Sequence, residues 1–190
     1  MDPNPKLYSR IARRIRVPLT FIFTGVCLWL AQPSWSSIAL GAVVMVFGIL
    51  LRARAAGHVQ KDKVLTVTGP YAYTRNPLYL GSILLAIGFA VAAQNVWIGV
   101  VMVTLFLAIY FPIIRAEEEY LRATFDGYDA YMKAVPRLLP RLTAAQLQTE
   151  SDGFSMQRYR KLREYNSIIG AVVLLGALAM KILWQMRNSH

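Results

Sequence analysis

Cysteine and histidine are almost missing from this chain: one of the first and two of the second in 190 residues. A lone Cys27 excludes a disulfide framework, and no metal-ligand spacing can be drawn from so few donors. Cys27 falls inside an apolar run and reads as packing. Charge is scarce too, at 16% of residues, and acid is scarcer than base, with 10 Asp and Glu against 21 Lys and Arg. No nucleic-acid-binding module accompanies the net charge of +11. The excess therefore reads as a topology signal and an attraction to anionic lipid, with no nucleic acid as partner. Internal repeats and low-complexity tracts are absent. No small-residue cleavage site follows the first apolar run, which is read as a retained helix.

What the chain has in abundance is apolar sequence, 56% of residues, arranged in blocks without amphipathic rhythm. That pattern predicts an all-α, multi-span membrane protein with about five transmembrane helices. The candidate spans are 17–31, 34–51, 78–93, 96–114 and 168–184. The first and third fall slightly short of the roughly 20 residues that cross a bilayer, so flanking residues must contribute or the bilayer must thin. Gln32-Pro33 and Gln94-Asn95 join two pairs of spans and predict two antiparallel helical hairpins. Nineteen of the 21 Lys and Arg lie before Val17, between Arg52 and Arg75, or between Arg115 and Arg163. The N-terminus and the long loops are therefore expected to be cytoplasmic.

The densest chemistry lies between Gly69 and Ser82, in GPYAYTRNPLYLGS, where a cationic, aromatic turn runs straight into an apolar span. Asn76-Pro77 reads as a helix start, with asparagine as N-cap and proline in the first turn. The unpaired N–H groups there suit a carboxylate or phosphate, and Arg75 adds a full charge. The bland alternative is a capped span with a snorkelling arginine. Ahead of the turn, VLTVT has β-rich composition.

A second polar stretch leaves the fourth span as RAEEEYLRATFDGYDAYMKAVPRLLP, from Arg115 to Pro140. Tyr120, Leu121, Phe125, Tyr128 and Tyr131 have the spacing of an amphipathic helix at the membrane surface, broken at Asp126-Gly127. Glu117 and Glu118 sit within a turn of Ile114, where carboxylates are costly unless hydrated or paired. Arg115, Arg122, Arg75 and Lys63 are the available partners. An acidic run at a helix C-terminus also opposes the macrodipole, so stability alone does not favour it. A cationic or hydroxyl-rich ligand would supply the reason, while a solvated acidic run closing the helix is the plain alternative.

Together these residues resemble a known family. GPYAYTRNPLYLG, a span hairpin, EE-x-x-L-x-x-x-F, then Tyr128, Tyr131 and a closing VPRLLP are similar to the small integral-membrane methyltransferases, which include isoprenylcysteine carboxyl methyltransferases and phospholipid N-methyltransferases. The resemblance covers 57–140, inside a core of 1–140; residues 141–190 add a polar connector and a further span. It implies an enzyme with a cytoplasm-facing pocket for S-adenosyl-L-methionine and a lipid-like or prenylated acceptor entering from the bilayer. Leu65, Gly69, Tyr71, Arg75, Pro77, Tyr79 and Gly81 would form the cofactor site, closed by Glu117 and Glu118. Glu118, Arg137 and Asn76 would be the residues nearest the chemistry, with Arg137 binding an anionic group on the acceptor.

Two departures bear on mechanism. The family's frequent Arg-His-Pro is Arg75-Asn76-Pro77 here, and a histidine often found before the turn is Lys63. A carboxylate acceptor needs no general base, whereas an amine must lose a proton, to His58, Glu118 or water. The scarcity of bases tilts the reading towards isoprenylcysteine-type carboxyl O-methylation. N-P-x-Y-x-G-S looks instead like the phospholipid N-methyltransferase motif, and Tyr-x-x-Tyr-x-x-x-Val like the isoprenylcysteine branch. A nicotinamide-dependent, sterol-reductase-like enzyme and a non-catalytic lipid-binding protein are the readings from other classes. The last span, with Gly170, Ala171, Gly176, Ala177 and Ala179, would cover the bundle or form a homodimer contact, and Lys181 would snorkel to the outer interface.

Overall fold

The computed structural model describes residues 21–60, 64–147 and 153–188. The described residues are helical, without strands. The start of the first span, Lys63 and His190 lie outside them. In chain order the helices are α1 (Phe21–Leu30), α2 (Trp35–His58), α3 (Pro77–Ala92), α4 (Val96–Thr124), α5 (Tyr128–Ala134), α6 (Met156–Lys161) and α7 (Tyr165–Asn188), with a 3₁₀ turn at Gly69–Ala72. Three of them, α2, α4 and α7, are long and apolar enough to cross a membrane, while α1 and α3 are shorter apolar helices. The protein is thus a multi-span helical membrane protein.

Both predicted hairpins form, for local reasons. Ser34 caps α2 reciprocally with Ser37, whose hydroxyl also donates to Ala92 O at 2.9 Å, locking α2 to the end of α3. Asn95 caps α4 by accepting from Trp97 N and Ile98 N, and Gln94 turns the chain with a φ of 50°. The helix pair α2–α3 makes the closest packing in the bundle, because glycines two turns apart on each helix face one another. A Cβ on Gly41 would lie 2.4 Å from Gly88 O, and one on Gly48 would lie 2.8 Å from Gly81 O. Only glycine permits backbones so near, and close approach is how membrane helices gain dispersion contact.

The apolar core at this end joins Cys27, Ala31, Phe89, Ala92, Ile98 and Leu178. Leu178 brings α7 into the bundle, so the last helix covers it. Lys181 does not simply snorkel to an interface: its ammonium donates to Leu28 O, Trp29 O and Ala31 O at 2.6–2.8 Å. Those carbonyls belong to the end of α1, where helix hydrogen bonding runs out, and unsatisfied carbonyls in lipid cost several kcal/mol each.

At the other end α2 and α4 run past their apolar stretches. With a rise of 1.5 Å per residue, Glu118 lies about 33 Å along α4 from Val96, at the edge of a hydrocarbon core about 30 Å thick. Helix α3 spans only about 24 Å, so the turn before it is drawn to the same level.

Candidate active site at the polar end

The turn from Gly69 to Asn76 is held by backbone bonds to the segment after α5. Arg75 N donates to Pro136 O, Arg141 N to Tyr73 O and Ala145 N to Ala72 O, at 2.9–3.0 Å. Thr74, fully buried, donates its hydroxyl to Arg137 O or Leu138 O, both at 3.1 Å. Tyr131 donates to Tyr71 O at 2.9 Å. The break between α4 and α5 makes this strap fold back. Gly127 takes a φ of 87°, and Tyr128, Tyr131 and Val135 then bury against Val67, with Leu65 alongside.

Four of the expected site residues meet inside this frame. Glu118 is 6% exposed. Its Oε2 accepts from Arg137 Nε at 2.9 Å and pairs with Arg137 Nη2 at 2.7 Å. Its Oε1 pairs with Arg75 Nη2 at 3.3 Å and accepts from Asn76 Nδ2 at 3.2 Å. Asn76 Nδ2 also reaches Arg137 O at 3.1 Å. Asparagine 76 therefore does not cap α3 with its side chain, as expected from the sequence, because its amide is used across the site. Pro77 does begin the helix. Of the three consecutive glutamates only Glu118 points inward; the next residue back, Glu117, is exposed and accepts from Tyr79 Oη at 3.1 Å.

Charge in the buried cluster does not balance. Two guanidinium groups face one carboxylate. Arg75 has a side chain only 8% exposed, and its Nε and Nη1 are buried without a hydrogen-bond partner. The Tyr128 hydroxyl lies beside this guanidinium and interacts with it. Arg137, 34% exposed, pairs with Glu118 and also lies over the Phe111 ring, 5.5 Å from its centroid. Tyr79, Phe106 and Tyr110 form an aromatic wall beside Glu117. Burial pushes the Tyr128 hydroxyl up to about 12, with the Glu118 charge adding and the charge and hydrogen bonding of Arg75 opposing. Burial likewise raises Tyr71 and Tyr131 well above the usual phenol range.

The remaining expected residues are placed around the cluster. Leu65 and Tyr71 build its supporting wall. Gly69, with a φ of 60°, makes the turn over the buried His58 ring. His58 is held through Nδ1 by Arg54 O at 2.7 Å and edges onto Phe154. Gly81 faces α2, where Arg52 and Gly48 press on it. Arg122 and Arg115, both weighed as partners for the glutamates, instead pair with Asp129 and lie over Phe111. Residues missed in the sequence are Thr74, Phe111, Arg52 and Glu164; only Arg52, an arginine just past the end of the 34–51 span, carried a visible signal. VLTVT forms no strand among the described residues, having none to pair with. Away from the site, an open crevice of about 710 Å³ between α3 and α4 is lined by Ile87, Val91, Val96, Val100, Val103 and Thr104. No group of three or more His, Cys, Asp or Glu among the described residues is arranged to hold a metal ion.

The sequence that builds this bundle and its polar end is similar to known proteins. Residues 37–127 match the family model of phospholipid methyltransferases. The chain is 26% identical over 142 residues to the protein-S-isoprenylcysteine O-methyltransferase of Schizosaccharomyces pombe, covering 71% of this chain and 59% of that one. On these matches the chain is similar to integral-membrane methyltransferases over about half of its length. It is also 28% identical to the nickel-cobalt-cadmium resistance protein NccN of Alcaligenes xylosoxydans xylosoxydans (68% of this chain, 62% of that protein). Against the cobalt-zinc-cadmium resistance protein CzcN of Cupriavidus metallidurans it is 24% identical (67% and 62%). The match thus spans less than two thirds of the length of these curated relatives. No solved structure matches the chain.

Proposed function

We propose that this protein transfers a methyl group from S-adenosyl-L-methionine to a lipid-like acceptor at the cytoplasmic membrane interface. The observation that carries the reading is the excess positive charge of the buried cluster, where Arg75 and Arg137 share the single carboxylate of Glu118. That excess suits the cofactor's carboxylate, and the exposed Glu117 with Tyr79 suits its ammonium. The aromatic wall of Tyr79, Phe106 and Tyr110 offers apolar faces for adenine. When bound, the cofactor supplies an electrophilic methyl on a sulfonium, and what the protein must add is orientation and exclusion of water. Asn76 and Glu118 hold the two arginines in place, and the strap from Val135 to Ala145 keeps water from the turn. The cytoplasmic side follows from the distribution of the basic residues.

For the acceptor, the net positive cluster favours a carboxylate, as in a prenylcysteine, with Arg137 as the half-exposed group that meets it. An ethanolamine phospholipid is the second reading, supported by the family match and by the exposed Glu117, which can take an amine proton. Radiolabelled methyl transfer by the detergent-purified protein to a prenylcysteine and to an ethanolamine phospholipid separates them. Label in the first supports carboxyl O-methylation, label in the second the amine reading, and label in neither contradicts both.

A further inference from the structure

Arg52 lies in the last turns of α2, and every donor direction of its guanidinium that reaches a neighbour is used. Its Nε and Nη2 fork onto the Glu164 carboxylate at 2.9 and 3.0 Å, and Nε also reaches Ser167 Oγ at 3.1 Å. Its Nη1 turns the other way and donates to Leu78 O at 3.1 Å and to Ser82 Oγ. The pair is largely buried, with side chains 21% and 10% exposed. Arg52 thus bridges the segment entering α7 and the first turn of α3, which carries Tyr79 and directly follows Arg75 and Asn76.

The seat for this arginine is made from the motif itself. A Cβ on Gly81 would lie 2.5 Å from Arg52 Cγ, so the glycine makes room for the arginine's stem. Ser82 offers its hydroxyl, and Leu78 a carbonyl that already accepts from Ser82 Oγ at 3.1 Å. Leu78, Gly81 and Ser82 therefore point at Arg52 on the face of α3 turned to α2, while Tyr79 meets Glu117 of α4. The segment 153–164 is separately tied to α2, through Ser155 N and Arg158 Nε to Gly57 O at 2.9 and 2.8 Å.

We propose that Arg52, clamped by Glu164, is a positioning residue for the active site: it sets the first turn of α3 and so the placement of Arg75, Asn76 and Tyr79. The last helix, beyond the stretch that matches the family, is then part of the catalytic unit through this clamp. For methyl transfer the proposal rests on the cofactor reading above; for the geometry of the turn it does not. A plain tether would need only the ion pair, whichever way round. A positioning role needs an N–H donor at residue 52 for Leu78 O, which a glutamate cannot supply.

The test compares the wild type with Glu164→Gln, Arg52→Glu and the exchange Arg52→Glu/Glu164→Arg, by thermal melting and by deuterium uptake of amides 75, 76 and 78–82. Glu164→Gln is expected to raise uptake at 78–82 several-fold, with methyl transfer falling on the order of ten- to a hundred-fold, the scale of a misplaced site. The exchange is expected to recover melting temperature relative to Arg52→Glu, but neither amide protection nor transfer. Unchanged uptake in Glu164→Gln overturns the proposal, as does an exchange that restores protection and transfer together with stability. If Arg52→Glu does not fold, the Glu164→Gln arm decides. Should the wild type transfer no methyl group, the cofactor reading fails while the uptake comparison still judges the clamp.

Discussion

Replacing Glu118 by glutamine keeps the shape of the side chain and removes the one negative charge facing two guanidinium groups. The carboxylate is buried, with Arg75 Nη2 at 3.3 Å and Arg137 Nη2 at 2.7 Å. At an effective dielectric of 20, charges about 4 Å apart attract by about 4 kcal/mol before desolvation is counted. Removing one partner of a buried pair costs about 3–5 kcal/mol, because the other charge stays behind. Arg137 is partly exposed and water can compensate it, so its share falls towards the 0–1 kcal/mol or so of surface pairs. Arg75 then dominates, and the expected loss is about 3 kcal/mol, or about 6–12 °C in melting temperature for a chain this long. Intrinsic fluorescence on heating the detergent-solubilised protein reads it. A second substitution sharpens the case: Arg75→Met/Glu118→Gln should melt above Glu118→Gln alone, since removing both charges is far cheaper than stranding one. Both forms should insert into membranes and transfer no methyl group. A Glu118→Gln protein that melts within about 2 °C of wild type would refute the charge argument.

Further outcomes follow from the same geometry. Gly41→Ala should destabilise by about 1–3 kcal/mol despite alanine's helix preference of about 1 kcal/mol, because its Cβ meets Gly88 O and Ala92 N; Gly170→Ala, with nothing within 4 Å, should be neutral or stabilising by thermal melting. Lys181→Met should strip the charged donor from three carbonyls, cost about 1.5–3 kcal/mol and raise protease cleavage near Ala31. In alkaline titration Tyr128, raised from 10.0 to about 12, should ionise after the exposed tyrosines. A phenol whose folded value is raised stabilises fully below its unfolded value. Its contribution is lost as pH climbs from 10 towards 12, so a Tyr128→Phe protein should lose less stability than wild type across that window.

Much of the fold was legible because bilayer chemistry writes in blocks: the hairpins at Gln32-Pro33 and Gln94-Asn95, the start at Pro77 and the break at Gly127 all appear. The span ends did not, since α2 continues to His58 and α4 to Thr124 through polar residues that are themselves good helix formers. The site was half legible. Arg75, Asn76, Glu118 and Arg137 converge, yet Asn76 was read as a local cap. Capping propensity is a short-range preference, and here the amide finds partners 42 and 61 residues away. Gly81, which the resemblance assigns to the cofactor site, makes room for the Gly48 backbone and for the Arg52 stem. The Arg52–Glu164 clamp spans 112 residues, and nothing local to either residue announces the other.

In the proposed function Arg75 holds the carboxylate of S-adenosyl-L-methionine. Calorimetric titration of S-adenosylhomocysteine, which retains the cofactor's carboxylate, into wild type and Arg75→Ala tests it most directly. Saturable binding by wild type that Arg75→Ala weakens at least about ten-fold, or 1.4 kcal/mol, is the predicted result. Binding of equal strength in both proteins, or none by a folded wild type, would contradict it.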